Sequence, residues 1–138
     1  MNTDKTQKVV PSPPKDVEYP HQGVTQEIIG AAFEVYRELG SGFLEKVYEA
    51  ALVQELEARG LRAVAQAEIN VQYKGYRVGL FYADVLVDGK VVCEIKAGES
   101  LQPAHEAQLL NYLKATGMKV GLLLNFGPKR VEVKRMVY

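Results

Sequence analysis

Residues 82–97, YADVLVDGKVVCEIKA, place two short apolar strands on either side of an Asp-Gly turn. Asp84, Glu94 and Lys96 lie within these strands, although ionised side chains are normally excluded from a core unless they are paired or bind a ligand. The folded chain must therefore pair these three charged groups, or bind a ligand with them, within strands that otherwise look buried.

The periodicity of the rest of the chain predicts an α/β (α+β) domain with the element order ααβββαββ. The predicted helices are 24–39, 43–59 and 103–116, and the predicted strands are 64–73, 76–87, 90–97, 118–125 and 130–137. Thr25 is the candidate cap of the first helix. Residues 118–125 are apolar enough for a buried strand, whereas 130–137 read as a more exposed one.

The length of 138 residues suits one domain, and no apolar run approaches the roughly 18 residues that a membrane span needs. Residues 1–20 hold four of the six prolines and are predicted to be a flexible tail, which leaves 21–138 as a single domain. The single cysteine, Cys93, excludes an internal disulfide and fits a cytoplasmic protein with no membrane partner. We interpret Cys93 as a small core residue.

The net charge of zero argues against a protein that coats nucleic acid nonspecifically. The balance is uneven, because residues 61–138 carry eleven basic and seven acidic groups. The basic residues near the C-terminus are Lys129, Arg130, Lys134 and Arg135. They could hold phosphates, but solvated charges that protect an edge strand are the favoured interpretation.

The register of the hairpin decides whether the three charges meet. A two-residue turn at Asp88-Gly89 would put Asp84 opposite Cys93 and separate the two carboxylates onto opposite faces. A three-residue loop, 87–89, would put Asp84 opposite Val92 and place all three charged groups on one face. We prefer the second register because it sorts the charged residues from the small apolar ones.

Two carboxylates beside a lysine on rigid strands suit a hard divalent cation such as Mg²⁺ or Mn²⁺. Asp84, Glu94 and the backbone carbonyl of Ile95 would supply the oxygen ligands, and Lys96 would position water or offset the charge of a phosphate. The alternative is a partly buried ion pair between Lys96 and one of the carboxylates. On the pattern alone that alternative is favoured, because Asp…Glu-x-Lys is short and common.

The strand pair resembles the active-site hairpin of the PD-(D/E)xK nuclease superfamily, with Asp84 as the aspartate and Glu94-Ile95-Lys96 as the (D/E)xK motif. More specifically, the chain resembles the GxxExxY protein family, a bacterial group within that superfamily. The naming motif is present in residues 42–48, GFLEKVY, and HEAQLLNYLKATG followed by GLLLNFG is similar to the C-terminal signature. The resemblance implies a restriction-endonuclease-like core, with a mixed central sheet flanked by helices. Ala83 stands where the superfamily name has a proline.

The resemblance also implies roles for residues outside the hairpin. Glu45 matches the motif glutamate on a helix, where it would reach the metal. Gln108 matches the glutamine on the helix after the catalytic strands, where it would orient water or hold a phosphate. The remaining residues singled out for substrate contact or for shaping the site are His105, Tyr48, Tyr112 and Tyr82. For the first three, a surface histidine and two packing tyrosines are the favoured interpretations, whereas Tyr82 flanks the site or fills the sheet surface.

Three functions follow from these residues. The first is a metal-dependent nuclease that hydrolyses phosphodiester bonds of nucleic acid, with DNA the preferred substrate. The second is a non-catalytic module that retains the nuclease fold and binds nucleic acid or a protein. The third is a structural ion pair without a ligand. Because the chain is small and uncharged overall, capture of nucleic acid favours a homodimer or a protein partner.

Overall fold

The computed structural model describes residues 20–138, which contain three helices and five strands. The helices are α1 (Gln22–Leu39), α2 (Glu45–Ala58) and α3 (Pro103–Thr116). The strands are β1 (Ala63–Tyr73), β2 (Tyr76–Val87), β3 (Val91–Lys96), β4 (Val120–Phe126) and β5 (Val131–Val137). The order ααβββαββ is the predicted one, and it confirms the predicted restriction-endonuclease-like α+β architecture.

The five strands form one mixed sheet in the order β1-β2-β3-β4-β5. β3 and β4 run parallel and are connected by α3, whereas the other neighbouring pairs are antiparallel. Because β4 has a strand on each side and helices against both faces, all of its residues are buried, as its apolar sequence predicts. β5 is an edge strand, although its first three residues are buried.

Helices cover both faces of the sheet and produce two apolar clusters. The first cluster joins α1 and α2 to one face, and its members include Ile28, Leu52, Val85, Cys93 and Leu122. The second joins α3 to the other face, and its members include Leu109, Tyr112, Leu113, Val92 and Leu123. Cys93 is fully buried and burial raises the pKa of its thiol, which confirms it as a core residue.

The beginning of α1 corrects one prediction. The helix begins at Gln22, so Thr25 lies inside its first turns and does not cap it. The buried hydroxyl of Thr25 donates a hydrogen bond to the carbonyl of Gln22 and accepts one from Nη1 of Arg135 at 2.6 Å. Thr25 therefore connects α1 to the edge strand β5, which is why a polar residue occupies this buried position.

Two further predictions concern the N-terminal tail and the absence of a membrane span. The predicted tail, residues 1–20, lies outside the described residues except for its last position. Within the described part of the chain, no helix has the length and apolar character that crossing a bilayer requires.

Gly121 on β4 lets α3 lie close to the sheet. A β-carbon at this position would come within 2.8 Å of a methyl group of Leu109, a fully buried α3 residue. Atoms cannot approach so closely, so a larger residue at position 121 would force Leu109 or α3 to shift. Since α3 also carries Tyr112, whose phenol is affected by the charges of Glu94 and Asp84, this close packing helps to position the helix beside the carboxylates.

We expect Gly121→Ala to lower the free energy of unfolding by about 1–3 kcal/mol, because overpacking forces the helix or the leucine to shift. Urea denaturation followed by circular dichroism measures the difference. Gly98→Ala is the matched control, since a β-carbon at Gly98 meets nothing within 4 Å. Equal stability of the two variants would contradict the close packing described for α3.

Candidate active site

The carboxylates lie where β2 separates from β3. The ladder between the strands consists of Val85 opposite Cys93, Leu86 opposite Val92 and Val87 opposite Val91. Upstream of this ladder, β2 pairs only with β1. The sheet therefore forks at Asp84 and Glu94, which are the next residues beyond the last pair.

Both registers considered from the sequence are wrong. The hairpin loop is Asp88-Gly89-Lys90, one residue further along than the three-residue loop that we preferred. Lys90 closes the turn with a hydrogen bond from its N–H to the carbonyl of Val87, and Asp88 and Gly89 both have positive φ. The observed register brings Asp84 into line with Glu94 rather than Val92, so the two carboxylates approach more directly than predicted.

The backbone of β2 is irregular at the fork. Val85 packs in the cluster under α1 and α2, whereas Ala83, two residues earlier, packs in the cluster under α3. Residues two apart in a regular strand share a face, so β2 must twist at Asp84. On β1, Gln66 lies beside this point and has a φ of 53°. Such irregularities redirect side chains, and this one points Asp84 toward β3.

The two carboxylates bind the backbone that the fork leaves without ladder partners. The N–H of Ile95 donates a hydrogen bond to Oδ2 of Asp84 at 2.7 Å. In return, the N–H of Asp84 donates to Oε2 of Glu94 at 3.0 Å. Within residues 20–138, Oδ1 of Asp84 and Oε1 of Glu94 accept no hydrogen bond, so one oxygen of each carboxylate is available for a ligand.

The carboxylate pair is electrostatically uncompensated. Glu94 is 4% exposed, and burial together with the charge of Asp84 raises its pKa to about 7. The backbone hydrogen bond from Asp84 and the charge of Lys96 lower this pKa, but they do not offset the burial. No ion pair joins Lys96 to either carboxylate in the described part of the chain, so the structural ion-pair interpretation is not realised.

A third carboxylate, which the sequence analysis passed over, lies near this pair. Glu49 on α2 is 9% exposed, and its charge contributes to the raised pKa of Glu94. Its Oε1 accepts a hydrogen bond from Nε2 of Gln66 at 2.9 Å, and Nζ of Lys46 lies 3.5 Å from the same oxygen. Glu45, the motif residue, is exposed at the first position of the same helix.

The sequence contained an indication of Glu49. The buried residues of α2 are Tyr48, Glu49, Leu52 and Leu56, so Glu49 lies on the apolar stripe of the helix, three residues before Leu52 and seven before Leu56. A charge on that stripe needs a polar partner. Glu45 has the same spacing, seven residues before Leu52, but it lies exposed in the first turn, and it is Glu49 that the fold buries. Gln66 could not be identified in this way, because a glutamine in an alternating strand is an ordinary surface residue.

Three residues predicted on α3 have different environments. Nδ1 of His105 accepts a hydrogen bond from the N–H of Gln102 at 3.1 Å, which makes His105 part of a capping box. Gln108 is exposed and lines a groove between α3 and the β1–β2 hairpin. Tyr112 is 8% exposed, and burial together with the charges of Glu94 and Asp84 raises the pKa of its phenol.

The other two tyrosines lie apart from each other. Tyr48 is fully buried, and its ring stacks on Phe126 at 4.4 Å between centroids. Its hydroxyl donates to the carbonyl of Gly40 at 2.6 Å and accepts a hydrogen bond from the N–H of Phe43, so Tyr48 holds the α1–α2 connection in place. Tyr82 is 48% exposed on β2, opposite Glu68 of β1.

The chain that follows Lys96 is fixed by a buried polar network. Asn125, opposite Lys96 on β4, accepts a hydrogen bond from the N–H of Gly98 at 2.9 Å and donates one to its carbonyl at 3.0 Å. Asn125 also donates to Oε1 of Glu132 at 3.1 Å, and the N–H of Leu101 donates to the same oxygen. Lys96 therefore projects from a backbone that is held on both sides, although it belongs to the end of a strand.

Comparison with known proteins agrees with this geometry. Residues 22–136 match the family model described as the PD-(D/E)XK nuclease superfamily, and the chain belongs to that superfamily. A solved structure titled "Crystal structure of SSO0001" is similar, with a TM-score of 0.52 and 21% identity. The match covers 67% of this chain and 50% of that one, so the chain spans half the length of that structure, and the likeness concerns the fold alone. No curated protein matches significantly.

The residues at the fork fit a divalent cation. No group of three or more His, Cys, Asp or Glu side chains in residues 20–138 is arranged to hold a metal alone. Mg²⁺ does not need such a group, because it is usually held by one or two carboxylates together with water and substrate phosphate. Asp84 and Glu94 offer two hard oxygen donors, and burial together with the charge of Asp84 raises the pKa of Glu94, so a cation between the two carboxylates would relieve this repulsion.

We expect the metal-free protein to be more stable at about pH 5 than at about pH 8. Between the ordinary pKa of 4.5 and the folded-state value of about 7, Glu94 holds a proton in the folded state that it has released in the unfolded state. Its contribution to stability is therefore present at low pH and is lost as the pH rises through 7. For this residue alone the difference is about 2 kcal/mol.

Urea denaturation in EDTA at both pH values measures this difference. Glu94→Gln keeps a hydrogen-bond acceptor for the N–H of Asp84, removes the titrating group and should lose this part of the pH dependence. Glu99→Gln, on an exposed residue, should behave like the wild type. An unchanged pH dependence in Glu94→Gln would show that Glu94 titrates normally.

Proposed function

We propose that this protein is a metal-dependent nuclease that hydrolyses phosphodiester bonds of nucleic acid, with DNA as the preferred substrate. One observation carries the proposal: the carboxylates of Asp84 and Glu94 converge at the fork of the sheet, and within residues 20–138 one oxygen of each accepts no hydrogen bond. Lys96 lies two residues after Glu94 on the same strand. Membership of the PD-(D/E)XK nuclease superfamily, whose nucleases typically use divalent metal ions, supports this chemistry.

The proposed ligands are Oδ1 of Asp84, Oε1 of Glu94 and the carbonyl oxygen of Ile95. The chemistry that a bound Mg²⁺ or Mn²⁺ supplies is stabilisation of the negative charge that develops on the phosphate oxygens. In the folded chain, the hydrogen bonds between the two carboxylates and the backbone hold the ligand oxygens in place before any ion binds. This preorganisation lowers the entropic cost of assembling the site.

Lys96 orients the attacking water and offsets charge on the scissile phosphate, because its ammonium group donates hydrogen bonds and carries a compact positive charge. The water oxygen attacks phosphorus as the bond from phosphorus to the leaving oxygen breaks; the water gives up a proton to solvent, and the leaving oxygen takes one up from solvent. Gln108, exposed on the groove wall, contacts the phosphate of a neighbouring nucleotide. The network around Asn125 restricts the backbone of Lys96 and so keeps the ammonium group near the carboxylates.

We expect Asp84→Ala to abolish Mg²⁺ binding, and Lys96→Ala to retain Mg²⁺ binding but lose cleavage by a factor of about a hundred or more. Calorimetric titration with Mg²⁺ measures the first effect, and cleavage of labelled single- and double-stranded DNA and RNA measures the second. Glu99→Gln and Lys90→Ala are controls that change an exposed charge away from the fork.

Metal binding without cleavage of any substrate would contradict the nuclease and favour the second function, a non-catalytic binding module. An unchanged cleavage rate in Lys96→Ala would contradict the role given to this lysine. Absence of Mg²⁺ binding in the wild type, both alone and with a noncleavable oligonucleotide, would contradict the metal site.

The carboxylate that α2 contributes to the site is proposed to be Glu49, although the motif residue is Glu45. Glu49 is buried beside Gln66, and its charge helps to raise the pKa of Glu94, whereas Glu45 is exposed. We expect Glu49→Gln to weaken Mg²⁺ binding by about tenfold, as outer ligands commonly do, and Glu45→Gln to leave it within about twofold. The same titration decides between the two residues, and the reverse result would assign the role to Glu45.

A further inference from the structure

The groove between α3 and the β1–β2 hairpin is separate from the carboxylate pair and has a volume of about 760 Å³. This size lies within the range of sites that hold small organic ligands. One wall comes from residues 71–72 and 81 of the hairpin and the other from residues 104–115 of α3. Several of its lining residues, among them Phe81, Gln108 and Lys114, are exposed, so the groove is accessible from solvent.

Aromatic rings form the apolar part of the groove. Phe81 is 46% exposed, and its ring centroid lies 5.7 Å from that of Tyr112, at an angle of 42°. Gly79 keeps this surface open, because a β-carbon there would come within 3.3 Å of the ring of Phe81. A half-exposed ring beside a buried one offers a planar ligand a surface on which to stack.

The polar part of the groove suits a nucleotide. Amides line it at Gln72, Gln108 and Asn111. Those of Gln72 and Asn111 can donate hydrogen bonds to a base edge and accept them from it, while Gln108 is the one proposed to contact a phosphate. Among residues 20–138, Lys114 is the charged residue that lines the groove, and none of the lining residues is a carboxylate. The groove is therefore complementary to an aromatic group attached to a phosphate, in contrast to the acidic fork beside it.

The arm, defined as residues 70–82, extends the same character beyond the groove. It contains Lys74 and Arg77 and no acidic residue. At its tip Tyr73 and Tyr76 are 61% and 76% exposed, and Nζ of Lys74 lies 5.4 Å from the ring centroid of Tyr73. Exposed rings next to cations are typical of surfaces on which single-stranded nucleic acid lies.

Tyr112 connects the groove to the fork. It lines the groove, and the charges of Glu94 and Asp84 act on its phenol. We propose that the groove binds an unstacked base of a single-stranded or locally melted nucleic acid, with Phe81 as the stacking surface and Lys114 as a phosphate contact. The inference rests on the proposed nuclease function and specifies its substrate class, since stacked bases inside an intact duplex cannot enter the groove.

The test measures binding of a fluorescein-labelled oligothymidylate of about 12 nucleotides by anisotropy, in EDTA and low salt. We expect the single strand to bind more tightly than a duplex of the same length. Phe81→Ala should weaken binding of the single strand by about 5- to 150-fold, the range for losing one stacked base. Lys114→Gln should weaken it less and reduce its dependence on salt.

Matched controls are Tyr138→Ala, which removes a 56% exposed ring far along the sequence, and Lys119→Gln, which removes an exposed lysine beyond the end of α3. Both should bind as the wild type does. Photocrosslinking of an oligonucleotide that contains 5-iodouracil, followed by mass spectrometry, should label Phe81 or Tyr112. This second readout does not depend on the stability of any variant.

Equal binding by wild type and Phe81→Ala, tighter binding of the duplex, no binding of either oligonucleotide, or crosslinks only outside the groove would each overturn the inference. Dimerisation through Phe81 would also overturn it. In that case the wild type would sediment as a dimer and Phe81→Ala as a monomer, with unchanged oligonucleotide binding. These readouts involve neither metal nor cleavage, so failure of the groove is distinguishable from failure of the proposed nuclease.

Discussion

The structure depends on the exchange of hydrogen bonds between two carboxylates and two backbone amides at the point where β2 leaves β3. Asp84 accepts from Ile95, and Glu94 accepts from Asp84. A buried N–H without an acceptor is costly, so a forked sheet needs acceptors at the fork, and these side chains provide them. The same hydrogen bonds bring both carboxylates together, so the pair of carboxylates forms where the strands separate.

This arrangement leaves negative charge that the folded chain does not neutralise. Burial and the neighbouring Asp84 raise the pKa of Glu94, and Glu49 adds to the effect. A chain selected only for stability would replace such a residue by an apolar one, because uncompensated buried charge opposes folding. The surrounding apolar clusters, and the close contact of Leu109 with Gly121, offset this cost and hold α3 against the sheet.

The sequence was informative wherever a local pattern determined the outcome. Helical and strand periods predicted the element order. Charges in apolar strands singled out Asp84, Glu94 and Lys96, and the structure brings the first two together. The prediction of the hairpin register failed because the Asp-Gly pair lies in both possible three-residue loops, 87–89 and 88–90, and the folded chain pairs Val87 with Val91. The hydrogen-bond network of Asn125, Glu132 and Gly98 could not be predicted from the sequence, because it depends on strands that meet only in the folded sheet.

The fork also explains why a groove exists at all. Beyond Asp84, β2 keeps only β1 as a partner, so the hairpin extends past the rest of the sheet and α3 covers only part of it. Phe81 lies on this extended part of β2, where it is 46% exposed and faces Tyr112 of α3. The fork that positions the acidic site therefore also leaves free the part of the hairpin that forms one wall of the groove.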